Sequence, residues 1–292
     1  MKPWLVAIAV IPIALSASPV RAADDAAIAH GAYVFAAADC GTCHTDTKNN
    51  GTPLAGGRAL VTAFGTFYTP NITPDPVNGI GRWSLADFRR ALRDGRGRNG
   101  EYLYPVFPFA SYTGMNDSDI ADLYAYLMAQ KPVSAPNKPN AIKFPFNFRP
   151  LLSVWRALYF TPGPLMSVAG KSADWNRGRY LSEAMVHCQE CHTPRNFLGA
   201  LKISGHAYAG NPNGPDGLRS PNITPDNDTG IGQWSIADIV AFLKTGKTPD
   251  LDDISRQMGD VVKGTALLTD SDREAIAVYL KSLPPLHATP RN

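Results

Sequence analysis

The feature that most constrains this chain is an internal repeat whose copies each begin with the pattern C-x-x-C-H. The first half contains CGTCH, PNITPDPVNGIGRWS and NDSDIADLYAYL, and the second contains CQECH, PNITPDNDTGIGQWS and TDSDREAIAVYL. Cys40 and Cys188 lie 148 residues apart, and Trp83 and Trp234 lie 151 apart. Three blocks in one order at nearly one offset indicate a duplicated domain.

The chemistry of C-x-x-C-H indicates covalent attachment of haem c at both motifs. Two thiols spaced by two residues add to the two vinyl groups of one haem, and the following histidine lies beneath the iron as its proximal ligand. The pattern therefore predicts two covalently bound haem c groups, held at Cys40, Cys43 and His44 and at Cys188, Cys191 and His192. All four cysteines of the chain are used in this way.

Three other uses of the cysteines remain as alternatives. Two disulfides or a four-cysteine zinc site would not require a histidine directly after each pair. A redox-active dithiol would call for a strand–helix–strand setting that the sequence does not show.

The sixth iron ligand is predicted to be a methionine from the loop before the last helix of each half. In the second half Met258 has this position, and in the first half the candidate is Met115, since Met128 lies on the closing helix itself. Counting back from the closing helices aligns Met115 with Leu268 and places Phe107 near Met258. A packing role for Met115 is therefore the alternative, and the first haem would then have another sixth ligand or none.

Three polar residues are candidates for contacts to the haem propionates, and no catalytic residue is predicted. Arg58 offers a cation to a buried carboxylate. Asn71 and Asn222 open the most strongly repeated block and could donate hydrogen bonds. A turn built around each asparagine is the structural alternative.

The periodicity of the sequence predicts an all-α fold of two tandem cytochrome c domains. Ser84 with Asp87, and Ser235 with Asp238, have the spacing of a capping box at a helix start. Each half closes with an amphipathic helix. Its predicted core positions are Ile120, Leu123, Tyr124 and Leu127, and, in the repeat, Ile276, Tyr279, Leu280 and Leu283. No alternation at period two is present.

The N-terminus has the pattern of a signal peptide. Lys2 precedes an apolar run of Trp4 to Leu15, and small residues at Val20 and Ala22 predict cleavage after Ala22. An uncleaved membrane anchor is the alternative. Export would place the protein in the periplasm.

The halves are joined by a segment rich in both proline and aromatic residues, which predicts an ordered strap packed across the domains. The predicted boundaries are 1–22 for the signal peptide, 23–131 for the first domain, 132–173 for the strap, 174–286 for the second domain and 287–292 for a tail. The formal net charge of +3 is too small to indicate nucleic-acid binding.

The motifs PNITPD…GIGxWS, RGRYL…HCQECHTPRN and AIAVYLKSLPP resemble the cytochrome c subunits of bacterial membrane-associated alcohol, gluconate, sorbitol and fructose dehydrogenases. That family usually has three haem domains and often a C-terminal membrane-anchoring segment. With two motifs, this chain is closer to the shorter dihaem relatives. The resemblance implies a periplasmic electron carrier that serves a partner dehydrogenase.

The expected function is therefore electron transfer from a dehydrogenase to a quinone, an oxidase or a soluble cytochrome, with any peripheral membrane association made through partners. A dihaem enzyme, such as a peroxidase or a thiosulfate-oxidising cytochrome, is the alternative. Such an enzyme would need an open iron or an unusual ligand near its substrate. A fixed subunit of a terminal oxidase would be expected to bring a transmembrane helix.

Overall fold

A computed structural model describes residues 20–214, 217–250 and 256–288, with the side chains of 20–23 and 256–257 left undescribed. Residues 1–19 of the predicted signal peptide and residues 289–292 of the predicted tail lie outside these ranges. Within the described ranges, no helix is both long enough and apolar enough to cross a membrane.

The helices follow the repeat. In the first half they are α1 (Val20–Ala37), α2 (Cys40–Cys43), α3 (Leu85–Asp94), α4 (Phe109–Tyr112) and α5 (Asp117–Met128). Helix α6 (Leu151–Tyr159) belongs to the connecting segment, 132–173. In the second half they are α7 (Ala173–Tyr180), α8 (Gln189–His192), α9 (Ile236–Thr245), α10 (Arg256–Thr265) and α11 (Asp270–Lys281). A 3-10 turn, Thr47–Asn49, follows α2, and a π-helical turn, Leu181–Met185, extends α7.

The predicted capping boxes are confirmed at the starts of α3 and α9. The Ser84 hydroxyl accepts the Asp87 backbone N–H at 3.1 Å, and the Asp87 carboxylate accepts the Ser84 backbone N–H at 3.0 Å. Ser235 and Asp238 repeat both bonds at 3.1 and 2.8 Å. Each box satisfies helix-end N–H groups that would otherwise lack partners, which fixes where the helix begins.

Each half is built on one close crossing between its first and last long helices. Helix α1 packs against α5, and α7 packs against α11. A Cβ atom at Gly31 would lie 1.9 Å from the Asp122 carbonyl oxygen, and one at Gly178 would lie 1.9 Å from the Ala275 carbonyl oxygen. Both crossings therefore require glycine, because any side chain would force the two backbones apart.

The π-helical turn accounts for a small irregularity of the repeat. The two crossing glycines lie 147 residues apart, whereas Cys40 and Cys188 lie 148 apart. A π-helical turn holds one residue more than an α-helical turn. Leu181–Met185 therefore absorbs the extra residue between α7 and the second cysteine motif.

The closing helices bury the face that the periodicity predicts. The buried positions are Ile120, Leu123 and Leu127 on α5, and Ile276, Tyr279 and Leu280 on α11. Of the other two predicted core positions, Tyr124 is only half-buried, and Leu283 is half-buried and lies beyond the end of α11. These residues belong to one continuous apolar cluster that includes buried side chains of both halves. The two halves therefore share a core.

One tyrosine of each half donates a hydrogen bond to an aspartate of the other half. The Tyr33 hydroxyl on α1 donates to the Asp272 carboxylate on α11 at 2.5 Å. The Tyr180 hydroxyl at the end of α7 donates to the Asp119 carboxylate on α5, also at 2.5 Å. Each half thus supplies the tyrosine that bonds to the closing helix of the other, which fixes their relative position.

Asp272 accepts more hydrogen bonds than Asp119. Its replacement should therefore show how much this contact stabilises the fold. Burial alone would raise the pKa of Asp272, but hydrogen bonds from Arg177 and Tyr33 outweigh it and hold the pKa below its usual value. Because the folded pKa is lowered, the stabilisation exists above the ordinary carboxyl pKa and is lost as pH falls through the folded value. We expect Asp272→Asn to lower the free energy of unfolding by about 2 kcal/mol at neutral pH.

Denaturant unfolding at neutral pH and near pH 3 measures this effect. The difference between Asp272→Asn and the unmodified protein should shrink as the pH falls toward the lowered pKa of Asp272, because the stabilisation depends on the ionised carboxylate. Replacement of the exposed Asp228 by asparagine is the matched control. Equal losses in both variants, or a difference independent of pH, would contradict the assignment.

The all-α prediction is wrong in one respect, because the first half contains a small antiparallel sheet. Its strands are β1 (Ala59–Thr62), β2 (Gly65–Tyr68) and β3 (Ala141–Ile142), in the order β1-β2-β3. Strands of two to four residues are too short to show alternation, and β3 comes from the connecting segment. Strands β1 and β2 form a local hairpin in which Thr62 pairs with Gly65, whereas β3 joins the sheet only by long-range pairing with β2.

The connecting segment, 132–173, contacts both halves. On helix α6, the Trp155 indole N–H donates a hydrogen bond to the Leu198 carbonyl oxygen of the second half at 3.0 Å. The buried Phe109 ring of the first half lies between Trp155 and Phe160, with centroids 6.1 and 4.9 Å away. These contacts are made by aromatic side chains of the connecting segment, the residues from which its packing across the domains is predicted.

Candidate haem sites

Both cysteine motifs form a single helical turn that brings the histidine back over the first cysteine. The His44 backbone N–H donates to the Cys40 carbonyl oxygen at 3.0 Å, and His192 donates to Cys188 at 3.0 Å. In each motif the two cysteines lie three residues apart on that turn. This spacing places both thiols beside one histidine, as attachment of one haem requires.

The residue before each first cysteine adopts a left-handed backbone. Asp39 has φ of 51° and His187 has φ of 47°. Aspartate and histidine are among the residues that tolerate this conformation best after glycine. The change of direction separates the preceding helix from the motif turn, so Asp39 and His187 have the same structural role.

The two motif histidines are oriented by backbone carbonyl groups. His44 Nδ1 lies 2.7 Å from the Pro70 oxygen, and His192 Nδ1 lies 2.8 Å from the Pro221 oxygen. Because a carbonyl group only accepts, the hydrogen is on Nδ1, which leaves Nε2 with its lone pair. Burial lowers the pKa of both imidazoles, which favours the neutral form. A neutral imidazole fixed through Nδ1 fits an iron ligand.

The two carbonyl groups that orient the histidines were not predicted as site components. Pro70 and Pro221 occur at corresponding places in the repeated block, 151 residues apart. A proline carbonyl has no side-chain signature, so the repetition of the block was the only signal. In each half the repeated block thus orients the candidate iron ligand of that half, His44 or His192.

The asparagines after these prolines hold the block in place. Asn71 Nδ2 donates to the Val133 and Ala135 carbonyl oxygens at 2.8 and 3.3 Å. Asn222 Nδ2 donates to the Thr229 hydroxyl and the Leu286 carbonyl oxygen at 3.0 and 2.6 Å. Both hydrogens of each amide are therefore used within the protein. The structure supports the turn alternative, and a propionate contact from either side chain stays a prediction.

Arg58 lies against the first motif. Its guanidinium Nη1 donates to the Thr42 carbonyl oxygen, inside the motif, at 2.5 Å. Its backbone N–H donates to the Thr69 hydroxyl at 3.1 Å. A cation is therefore held beside the motif, and its contact with a propionate stays a prediction.

The two methionine candidates have different surroundings. Met115 is fully buried in the shared core and directly precedes Asn116, the N-cap of α5. Leu268 is likewise buried and directly precedes Thr269, the N-cap of α11. Met258 lies instead on α10 and is half-buried. The structure therefore supports a packing role for Met115 like that of Leu268, and its ligation stays a prediction.

The described residues do not show the alternatives considered for the cysteines. None of the four cysteines forms a disulfide. Among the described residues, no group of three or more histidine, cysteine or acidic side chains is arranged to hold a metal ion. Burial raises the pKa of Cys188 and Cys191 to about 12, unlike the low pKa of reactive dithiols. The donor set of two neutral thiols and one fixed imidazole fits haem c attachment.

Side chains of the first half connect the surroundings of the two motifs. Glu190, inside the second motif, accepts a hydrogen bond from the Ser111 hydroxyl of the first half at 2.8 Å. The Tyr112 hydroxyl donates to the Ala38 carbonyl oxygen beside the first motif at 3.0 Å. The Tyr112 ring also meets His187, beside the second motif, with centroids 5.3 Å apart. One small group of side chains therefore links both sites.

Comparison with known proteins gives consistent matches. The cytochrome c family model matches residues 28–131. The "Diheme cytochrome c-type" of Cereibacter sphaeroides is 44% identical over 259 residues, covering 87% of this chain and 85% of that protein. The fructose dehydrogenase cytochrome subunit of Gluconobacter japonicus is 41% identical over 259 residues, covering 88% of this chain and 52% of that relative.

A third relative is much longer than this chain. It is a nicotinate dehydrogenase subunit of Pseudomonas putida, 43% identical over 258 residues, which cover 88% of this chain and 21% of that relative. This chain thus spans about a fifth of one relative, about half of another and most of the dihaem relative.

The fold and the sites define an electron-transfer protein of the cytochrome c class, with covalently bound haem c as its cofactor. The chain belongs to the family that contains the cytochrome c subunits of bacterial membrane-associated alcohol, fructose, gluconate and nicotinate dehydrogenases. The relatives from fructose, alcohol and gluconate dehydrogenases are named as the cytochrome subunits of those enzymes.

Proposed function

We propose that the chain is a periplasmic dihaem cytochrome that passes electrons from a dehydrogenase to a respiratory acceptor. The observation that carries this proposal is the identical local geometry at both motifs. In each, a histidine beside two thiols is fixed through Nδ1 by the carbonyl group of a proline, Pro70 or Pro221. One haem motif could be incidental to a duplicated fold, but two equally built sites favour two haems.

The proposed residue roles follow the sequence prediction. Cys40 and Cys43, and Cys188 and Cys191, form the thioether bonds, and His44 and His192 are the proximal ligands. Met258 is the proposed sixth ligand in the second half, and Met115 is the sequence candidate in the first. Arg58, Asn71 and Asn222 are the propionate candidates. The haem iron supplies the redox chemistry, and the protein supplies ligands, burial and a fixed environment.

The halves are proposed to be two cytochrome c domains between which electrons cross. This proposal is supported by the hydrogen bond of Ser111 with Glu190 and the ring contact of Tyr112 with His187, which join the first half to residues in and beside the second motif. The exchanged tyrosine bonds keep the domains from moving apart. Transfer between two held centres needs no diffusional encounter, which suits a chain that relays electrons.

The donor and the acceptor are proposed from the family. Relatives are named as subunits of alcohol, fructose, gluconate and nicotinate dehydrogenases, which supports a dehydrogenase as the donor. A quinone, an oxidase or a soluble cytochrome would take the electrons. The apolar N-terminal run supports export to the periplasm.

Purification of the tagged, haem-loaded chain from its own cells tests this function. We expect a dehydrogenase to co-purify and one of its substrates to reduce the haem absorption bands within the complex. Ethanol, fructose, gluconate and nicotinate form the first substrate panel. The protein purified alone, given the same substrates, is the control. Reduction in that control, or substrate turnover by the chain without a partner, would contradict an electron-transfer role.

A further inference from the structure

Helix α6 exposes a row of apolar side chains. Leu151, Val154 and Leu158 are 43%, 57% and 62% exposed. Their spacing of three and four residues places them on one side of the helix. Phe148, 59% exposed, lies one turn earlier, and its carbonyl oxygen accepts the Leu151 backbone N–H at 3.0 Å. These four residues are called the α6 apolar face below.

The opposite side of α6 is firmly packed, so the helix cannot turn its apolar face inward. Leu152 is buried. The Arg156 guanidinium lies over the Phe109 and Phe160 rings, 5.4 and 4.6 Å from their centroids. The Trp155 indole donates its hydrogen bond to the second half. The exposure of the apolar face is therefore a fixed property of the fold.

The charged residues of the connecting segment itself all have one sign, and Glu101 of the first half is an acidic residue beside Arg149 and Ser153. Residues 132–173 contain five of the 28 basic residues of the chain and none of its 25 acidic residues. The remainder of the chain thus has more acidic than basic residues. Arg156 points inward, and the other four basic residues are exposed, namely Lys138, Lys143, Arg149 and Lys171.

We infer that the α6 apolar face and the exposed basic residues of 132–173 bind the surface of an anionic lipid membrane directly. Apolar side chains on one helix face with basic residues beside them match the interfacial layer of such a membrane. Phe144, which is 84% exposed, is a further exposed apolar side chain of the same segment. A protein partner would need a matching pocket for each projecting side chain, whereas a fluid lipid layer accepts them all. The contact is peripheral and goes beyond the proposed electron-transfer function.

Sedimentation with lipid vesicles tests the inference on the haem-loaded chain. We expect binding to vesicles that contain phosphatidylglycerol and at least tenfold weaker binding to vesicles of phosphatidylcholine alone. Raising the salt to about 0.5 M should weaken binding to the anionic vesicles, since the Debye length shortens.

Matched variants identify the surface. Leu158→Asp should weaken vesicle binding about tenfold, because it removes apolar burial and adds a negative charge. Leu267→Asp is its control, since Leu267 is 68% exposed and lies outside the connecting segment. Lys143→Gln should weaken binding about fivefold. Lys263→Gln, at an exposed lysine on α10, should leave it unchanged. Haem content and melting temperature verify that each variant is folded.

Each other outcome overturns the inference. Absence of binding to anionic vesicles excludes a lipid surface, and equal losses in Leu158→Asp and Leu267→Asp exclude the α6 apolar face. If Leu158→Asp instead abolishes self-association in sedimentation equilibrium while vesicle binding is absent, a second copy covers the face. If it abolishes only dehydrogenase co-purification, the face is a protein-docking surface.

Discussion

Replacing both Cys188 and Cys191 by serine should remove one covalent haem from the chain and leave the other in place. A serine hydroxyl forms no thioether with a haem vinyl group, and the first motif has its own two thiols and its own histidine. We expect the haem absorbance per mole of protein to fall by half in the alkaline pyridine assay. The mass of the denatured chain should fall by one haem.

The first motif provides the matched variant. Replacing both Cys40 and Cys43 should also halve the haem content, and replacing all four cysteines should abolish it. A half-loaded protein in the unmodified state would contradict two haems per chain. Loss of both haems from either two-cysteine variant would mean that the shared core cannot form around a single haem, which circular dichroism would reveal.

The second large effect concerns Met258. We expect Met258→Leu to remove the sulfur-to-iron absorption band of one haem, to lower the potential of that haem, and to let it bind carbon monoxide. Methionine–histidine ligation raises the potential, and a sixth ligand must leave before another molecule can bind the iron. Titration of the reduced variant with carbon monoxide should show one more bound equivalent than the unmodified protein.

Met115→Leu is the comparison that separates ligation from packing in the first half. It installs the residue type found at the corresponding position, Leu268. If Met115 is a ligand, this variant gains a carbon monoxide site. If Met115 packs as Leu268 does, the variant leaves carbon monoxide binding unchanged, and the first haem has another sixth ligand or none. No change in Met258→Leu would contradict the proposed second ligand.

Features determined by neighbouring residues could be predicted from the sequence. The capping boxes at Ser84 and Ser235 depend on residues three positions apart, and both formed as predicted. The buried face of the closing helices follows from a period of 3.6. The spacing of the two cysteines and the histidine in each C-x-x-C-H motif can be read directly from the sequence. Helix starts, helix faces and candidate haem attachment are therefore local information.

Features that join distant residues could not be predicted. The Tyr33 to Asp272 bond spans 239 positions, and neither residue has a local signal for the other. Strand β3 acquires its conformation only by pairing with β2. The orientation of His44 comes from a carbonyl group 26 positions away. Each of these depends on how the halves and the connecting segment pack, which a single sequence does not display.

The exchange of tyrosine bonds has the geometry of a two-fold symmetric dimer contained in one polypeptide. In an isologous interface, each protomer offers the same residue to the same acceptor on the other. Tyr33 and Tyr180 do this here. Covalent linkage frees the two copies to diverge, because a change in one is not imposed on the other. His30, 147 residues before Arg177, shows such divergence: it lies 2.8 Å from the Asp122 carboxylate and 3.8 Å from that of Asp119, whereas Arg177 pairs with Asp272, the counterpart of Asp119, at 2.6 Å. Two covalently linked copies can thus come to differ in how they carry electrons while the interface between them stays symmetric.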